Sequence, residues 1–202
     1  MEKVINLGIP HVGEQIFRSF GDKTLIQWTK LCSTWNVIAG NVLYERWKHD
    51  FFEAYKTDKI DIVRIFLERC DSEDNQLNTK GRDGVTPFTF ACRNGRSEIV
   101  KLLLHYSDVK NIDLNVTDDV GYNGFISACI NGHQHIVKLL LEHTGKREID
   151  FNAKIVHHEY GKVLTAGHYA FLHSGVEIVE LLREYADIKG IDIPTRKIKH
   201  LN

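Results

Sequence analysis

The stretch Ala91-Cys92-Arg93-Asn94-Gly95-Arg96-Ser97-Glu98-Ile99-Val100-Lys101-Leu102-Leu103-Leu104 returns 37 residues later, without a gap. Its second copy is Ala128-Cys129-Ile130-Asn131-Gly132-His133-Gln134-His135-Ile136-Val137-Lys138-Leu139-Leu140-Leu141. A third runs from Ala170 to Arg183, 42 residues further on, with Glu177-Ile178-Val179-Glu180-Leu181-Leu182 at its centre. A fourth, weaker copy spans Ala54 to Leu67, 37 residues before the first. Self-similarity at one period is the mark of a tandem array, in which each unit closes its neighbour's core. The apolar stripe Ile99, Val100, Leu102, Leu103 and Leu104 predicts a helix near 97–105. Gly95 and Gly132 end a preceding helix, near 88–94 in the first strong copy, where a positive φ costs least. Ile112–Asn115 and Ile149–Asn152 read as short extended stretches leading into a turn. One helix pair cannot bury both of its faces, but stacked pairs can. The expected fold class is all-α, a solenoid of about four helix pairs.

These features resemble the ankyrin-repeat family over about Phe51 to Ile193. The residues that carry the resemblance are Thr86-Pro87-Phe88-Thr89, the two Ala-Cys pairs, Gly95 and Gly132, and the Ile-Val-Lys-Leu-Leu-Leu runs. Thr86 and Pro87 suit a helix start, because a hydroxyl caps it and proline tolerates its first turn. The second repeat has Asn123-Gly124-Phe125-Ile126 at that place, and the third has Thr165-Ala166-Gly167-His168. The third also carries Ser174 where the others have their glycine, with Gly175 after it, and Lys154–Lys162 forms a longer finger. The expected repeats cover about 51–80, 81–117, 118–154 and 155–193, the first degenerate, and a short basic tail with Arg196, Lys197 and Lys199 follows.

The front of the chain is different in kind. All three tryptophans, Trp28, Trp35 and Trp47, lie in the first 47 residues. Val12, Ile16, Phe17 and Phe20 share one face of a helix after Pro10, and Leu25, Trp28, Leu31, Cys32 and Trp35 share a second. A third helix can run from Asn36 to Trp47. The order Ile9-Pro10, Ile16-Phe17, Phe20, Leu25, Leu31-Cys32, Trp35 and Trp47 resembles an F-box, over about Gly8 to Trp47. The expected domains are therefore an F-box-like helical module, 1–50, and a repeat domain, 51–202. Some forty residues seldom build a self-sufficient core, so this much apolar surface points to an exposed patch and a partner. The other reading is that these helices only cap the solenoid, which every repeat stack requires.

Composition narrows the function. With 202 residues, 43% of them hydrophobic and 26% charged, the chain is that of a globular protein. Lys and Arg number 26 against 27 Asp and Glu, a net charge of −1, which argues against a nucleic-acid or acidic-membrane binder. No apolar run approaches the roughly 18 residues of a membrane span, and Met1–Gly8 has no secretory character. Cys32, Cys70, Cys92 and Cys129 form no Cys-x-x-Cys pair and read as free thiols of a reducing compartment, cytoplasmic or nuclear. Asn115-Val116-Thr117 matches a glycosylation acceptor that such a chain would not use. Phosphate loops, nucleophile elbows and metalloprotease motifs are absent from the sequence. His133, His135, His157 and His158 read as structural or solvated rather than metal-binding, and Asp118-Asp119 as turn caps. No enzyme activity, metal or cofactor is expected.

The F-box resemblance implies binding to the Skp adaptor of a Skp–cullin–F-box ubiquitin ligase, through Ile9, Pro10, Ile16, Phe17, Leu25, Leu31, Cys32 and Trp35. The ankyrin resemblance implies a protein target on the fingers and inner helices. Its expected contacts are Arg82, Asp83, Arg93, Asn94, Asp119, Tyr122, Ile130, Asn131, Lys162, Leu172 and His173. Arg93, Tyr122, Ile130 and Leu172 would be the anchors, since aromatic and Arg side chains dominate binding energy and an exposed Ile or Leu there has no other use. Val85 and Leu164 lie in the same row and could equally pack between repeats.

Overall fold

The computed structural model describes residues 17–31, 33–71, 75–157, 162–173, 176–190 and 193. The chain divides into two compact units, Met1–Asp71 and Ser72–Asn202.

In the first unit the described helices are α1 (Asp22–Thr29), α2 (Ser33–Trp47), α3 (Phe51–Lys56) and α4 (Ile60–Arg69). Packing joins α1 to α2, α2 to α4 and α3 to α4. The stripe Ile62, Val63, Ile65, Phe66 and Leu67 gives α4 its apolar face, and all five side chains are buried. Phe66 stacks on Phe51 with ring centroids 3.5 Å apart and leans on Tyr44 at 5.3 Å. The helix pair α3–α4, which the repeat period groups with the solenoid, therefore packs on α2 inside this unit.

Two polar fixtures lock the unit. Asp22, in the first turn of α1, accepts from the Arg46 guanidinium and from Trp47 Nε1 at 2.9 Å, and the Lys59 ammonium lies 4.0 Å above the Trp47 ring. Arg69, closing α4, donates to the Asn36 carbonyl at 2.8 Å and to Asn36 Oδ1 at 2.9 Å. Its guanidinium lies over Gly40, mid-way along α2, where a Cβ would sit 2.0 Å from Arg69 Nη2.

The second unit is the repeat stack. Its inner helices are α5 (Pro87–Arg93), α7 (Gly124–Ile130) and α9 (Ala166–His173), with α5 on α7 and α7 on α9. Its outer helices are α6 (Ser97–Tyr106), α8 (Gln134–Leu141) and α10 (Val176–Lys189), packed in the same order. Equivalent side chains fill the seams: Ile99, Val100 and Leu103, then Ile136, Val137 and Leu140, then Ile178, Val179 and Leu182, all buried. Gly95 and Gly132 both have φ +71° and release the chain from inner to outer helix. The only strands among the described residues are β1 (Ile155–His157) and β2 (Lys162–Leu164), an antiparallel hairpin within the long finger. Ile112–Asn115 and Ile149–Asn152 run without strand pairing into turns at 114–115 and 151–152, and side chains of the preceding repeat take the backbone bonds that a strand neighbour would supply.

Candidate functional site

The finger and inner-helix surface is built from the helix starts outward. Thr86 Oγ1 accepts the Thr89 amide at 3.2 Å and caps α5. Asn123 Oδ1 accepts the Ile126 amide at 2.9 Å and caps α7, while its Nδ2 donates to the Asp150 carbonyl. At α9 the Thr165 amide donates to His168 Nδ1 at 3.2 Å, with Thr165 Oγ1 at 2.9 Å from the same nitrogen. The first two caps accept the amide three residues on, whereas the third reverses the roles and the side chain three residues on accepts the cap residue's own amide.

Neighbouring repeats are tied by side chains at the repeat period. Asn78 Nδ2 donates to the Asn111 carbonyl at 2.9 Å, and its Oδ1 accepts the Asp113 amide at 2.8 Å. Asn115, 37 residues on, does the same with the Glu148 carbonyl at 2.8 Å and the Asp150 amide at 2.7 Å. His133 Nε2 donates to the Arg93 carbonyl at 2.9 Å, which makes it a structural clamp between repeats. Asp118, only 4% exposed, accepts the amides of Val120 at 3.0 Å and Tyr122 at 2.8 Å, and its other oxygen is ion-paired with Arg93. Asp108 accepts the amides of Lys146 and Arg147, at 3.1 Å each.

Among the expected target contacts, Arg82, Asp83 and Asp119 are exposed at two successive fingers, and the Asp119 amide donates to the Asp83 carbonyl at 3.0 Å. Arg93 needs correction as a free anchor, because its charge is spent on Asp118 in the next repeat. Asn94 and Asn131 are exposed, yet each turns its amide back onto its own helix, to Phe90 O at 2.9 Å and Ser127 O at 2.8 Å. Tyr122 is half-buried, edge-on to Tyr169 at 5.3 Å, and Tyr169 in turn stacks on His173 at 6.2 Å. That chain of rings joins Tyr122 to α9, where Leu172 is 38% exposed. Ile130 is half-buried beside them in sequence register, and Lys162 pairs with His157 in the hairpin, its side chain outside the described residues. Val85 and Leu164 are interior.

Sequence reasoning missed two exposed valines, Val156 and Val163, which join Val120 of the expected finger row. Val156 and Val163 face each other across the hairpin, 57% and 53% exposed, and Val120 on the preceding finger is 55% exposed. The signal was available: Val156 alternates with buried Ile155 and Val163 with buried Leu164, a period of two inside an otherwise helical pattern.

In the first unit, Leu31 is 66% exposed, and Val37, which the pattern did not single out, is 56% exposed. Trp35 is half-buried, with Trp28 edge-on at 5.0 Å and Phe17 at 5.4 Å. Phe17 and Leu25 need correction as contact residues: at 1% and 0% exposure they are core side chains. The cluster Phe17, Phe20, Trp28 and Trp35 explains this, since its rings pack on one another. Ile9, Pro10, Ile16 and Cys32 lie outside the described residues.

Chemically the surface is quiet. Cys92 and Cys129 are fully buried, and burial pushes both thiols far above the usual cysteine range, so neither is a nucleophile at neutral pH. Among the described residues no three His, Cys, Asp or Glu side chains converge as metal ligands. An open hollow of about 550 Å³ is lined by Asp108, Asp113, Asn115, Lys146, Arg147 and Glu148, but these groups mainly serve the bonds between repeats. No helix among the described residues is long and apolar enough to cross a membrane.

A family model described as ankyrin repeats, three copies, matches residues 51–118 and again 109–196. The chain belongs to the ankyrin-repeat family. That membership makes it an interaction module with a protein partner, on an all-α repeat stack. The match starts at Phe51, so the F-box resemblance rests on the pattern of residues 8–47 alone. No curated protein matches the chain.

Proposed function

We propose that this ankyrin-repeat protein is a non-catalytic adaptor of the cytoplasm or nucleus. Residues 1–50 dock a Skp-type adaptor of a cullin ubiquitin ligase. The repeats, within 51–202, hold a protein target. The ligase partners supply catalysis, and this chain supplies proximity, raising the effective concentration of target.

The observation that carries the reading is the open apolar corner where α1 meets α2. Leu31 and Val37 face solvent there, with the half-buried Trp35 between them in sequence. Large apolar side chains left exposed this close in sequence support an interaction site. For the target, the open positions are Arg82, Asp83, Asp119, Tyr122, Ile130, Leu172 and His173, with the three finger valines beside them. Purified wild-type chain should capture the Skp adaptor at micromolar concentration, and Leu31→Asp or Trp35→Ala should abolish capture. Failure of the wild type at that concentration ends the ligase reading.

A second reading has its own support. Two of the eight expected adaptor contacts, Phe17 and Leu25, are interior, and α2 packs directly on the degenerate helix pair through α4. The front helices would then be a cap, and the protein a plain repeat scaffold or inhibitor. In that case Leu31→Asp leaves every binding activity of the chain intact.

A further inference from the structure

The three inner-helix caps differ in one respect that bears on regulation. Thr86 with Thr89, and Asn123 with the Ile126 amide, contain nothing that titrates near neutrality. The third cap is an imidazole. The Thr165 amide points at His168 Nδ1 from 3.2 Å, so that nitrogen is the bare acceptor and the ring's proton sits on Nε2. A second proton goes on Nδ1. The Thr165 N–H then loses its acceptor and meets a second donor, with only the Thr165 hydroxyl, 2.9 Å away, to accept from the new N–H, inside a cap where Thr165 is 6% exposed. We propose that the Thr165–His168 cap is an acid-sensitive latch, which releases the start of α9 when the imidazole takes up a proton.

The surroundings favour this behaviour. α9 packs on α7, α10 and β2. From α7 the titratable group is Cys129, buried and neutral, and the half-buried Tyr122 ring precedes it. From α10 come Glu177, Glu180, Arg183, Glu184, Asp187 and Lys189, all exposed, and the half-buried Tyr185. β2 carries Lys162, and α9 itself carries Tyr169 and His173. None of these supplies an ionic partner for the ring: burial alone holds His168 below the ordinary imidazole range. With the folded value depressed and the unfolded one near about 6.5, the cap's contribution is complete above that pH. It is lost as pH falls from there through the folded value. Leu172 and His173 ride on α9, so under the adaptor reading the same event loosens the target face.

The test is amide exchange on the full chain, peptide by peptide, from about pH 7.5 to about pH 5 after correction for intrinsic rates. Protection of the α9 peptide should fall by up to about tenfold per pH unit, the limit for one proton, while that of the α5 peptide holds. His168→Thr, which imports the equivalent of Thr89 from the α5 cap, should flatten the α9 response. Parallel loss at α5 and α9, or an undiminished acid response in His168→Thr, overturns the latch. If that variant does not fold, the wild-type His168 ring titration followed by NMR decides. A midpoint below about 6.5 supports the latch, and one at or above it refutes it. No readout involves a partner, so the latch and the adaptor reading fail separately.

Discussion

The two units hold their helices by different means. In the repeat stack the ties between helices recur: the Asn78 clamp reappears as Asn115, and the Thr86 cap as Asn123. In the first unit each tie is singular, with Asp22 gathering Arg46 and Trp47 and Arg69 gripping α2 across Gly40. A periodic device spreads its contribution over many equivalent bonds, whereas a singular one concentrates it. Loss of one rung should therefore cost the stack less than loss of one fixture costs the front unit. Loss of a seam side chain, by contrast, should cost most of all.

Phe125→Ala tests that last expectation. The ring is fully buried in α7, edge-on to Phe151 at 4.8 Å, and Phe151 in turn meets Tyr185 of the next repeat at 5.4 Å. Removing it should destabilise the stack by about 3–5 kcal/mol, read by urea denaturation. A cost under about 1 kcal/mol would mean that the repeats collapse onto the vacancy, and that the seams are less closely packed than their burial implies.

Asp118→Ala comes next, at about 2–3 kcal/mol. It strips acceptors from two finger amides and leaves the Arg93 guanidinium without its partner. Its Arg93→Ala counterpart should cost less, because Arg93 is one-third exposed while Asp118 is 1% exposed at its side chain. The difference between the two variants isolates the finger amides from the ion pair. This pair also marks the limit of reading by pattern. The helices α5 to α8, the positive φ of Gly95 and Gly132 and the Thr86 cap were legible because each depends on residues within one turn of itself. That Arg93 reaches Asp118 in the next repeat, 25 residues on, depends on how far the stack brings the two together. An Arg on a concave helix looks the same in sequence whether it faces a target or a buried carboxylate. Phe17 and Leu25 failed for the same reason, since apolar spacing names a face without saying what covers it.

The rung and the fixture can be set side by side. Asn115→Ala removes two exposed bonds and should cost about 1 kcal/mol. Gly40→Ala drives the Arg69 guanidinium from its seat and forfeits its bonds to Asn36, so it should cost about 1–2 kcal/mol despite alanine's better helix propensity. Were Gly40→Ala stabilising, Arg69 would have an equally good seat elsewhere, and the front unit would not depend on singular ties.

The smallest effect on stability belongs to Leu31→Asp, and that is why it is informative. Leu31 sits just past α1 with two-thirds of its surface in water, so a carboxylate there displaces nothing buried. The change in unfolding free energy should lie within about 0.5 kcal/mol of zero. A side chain that contributes so little to its own fold, yet is large and apolar, has its use in what it meets. If the variant folds as the wild type does and loses Skp-adaptor capture, the corner is an interface and the front unit more than a cap. If it folds and captures alike, the apolar corner is incidental. If it unfolds, Leu31 belongs to the core of the front unit, and the contrast between singular and periodic ties extends to its surface.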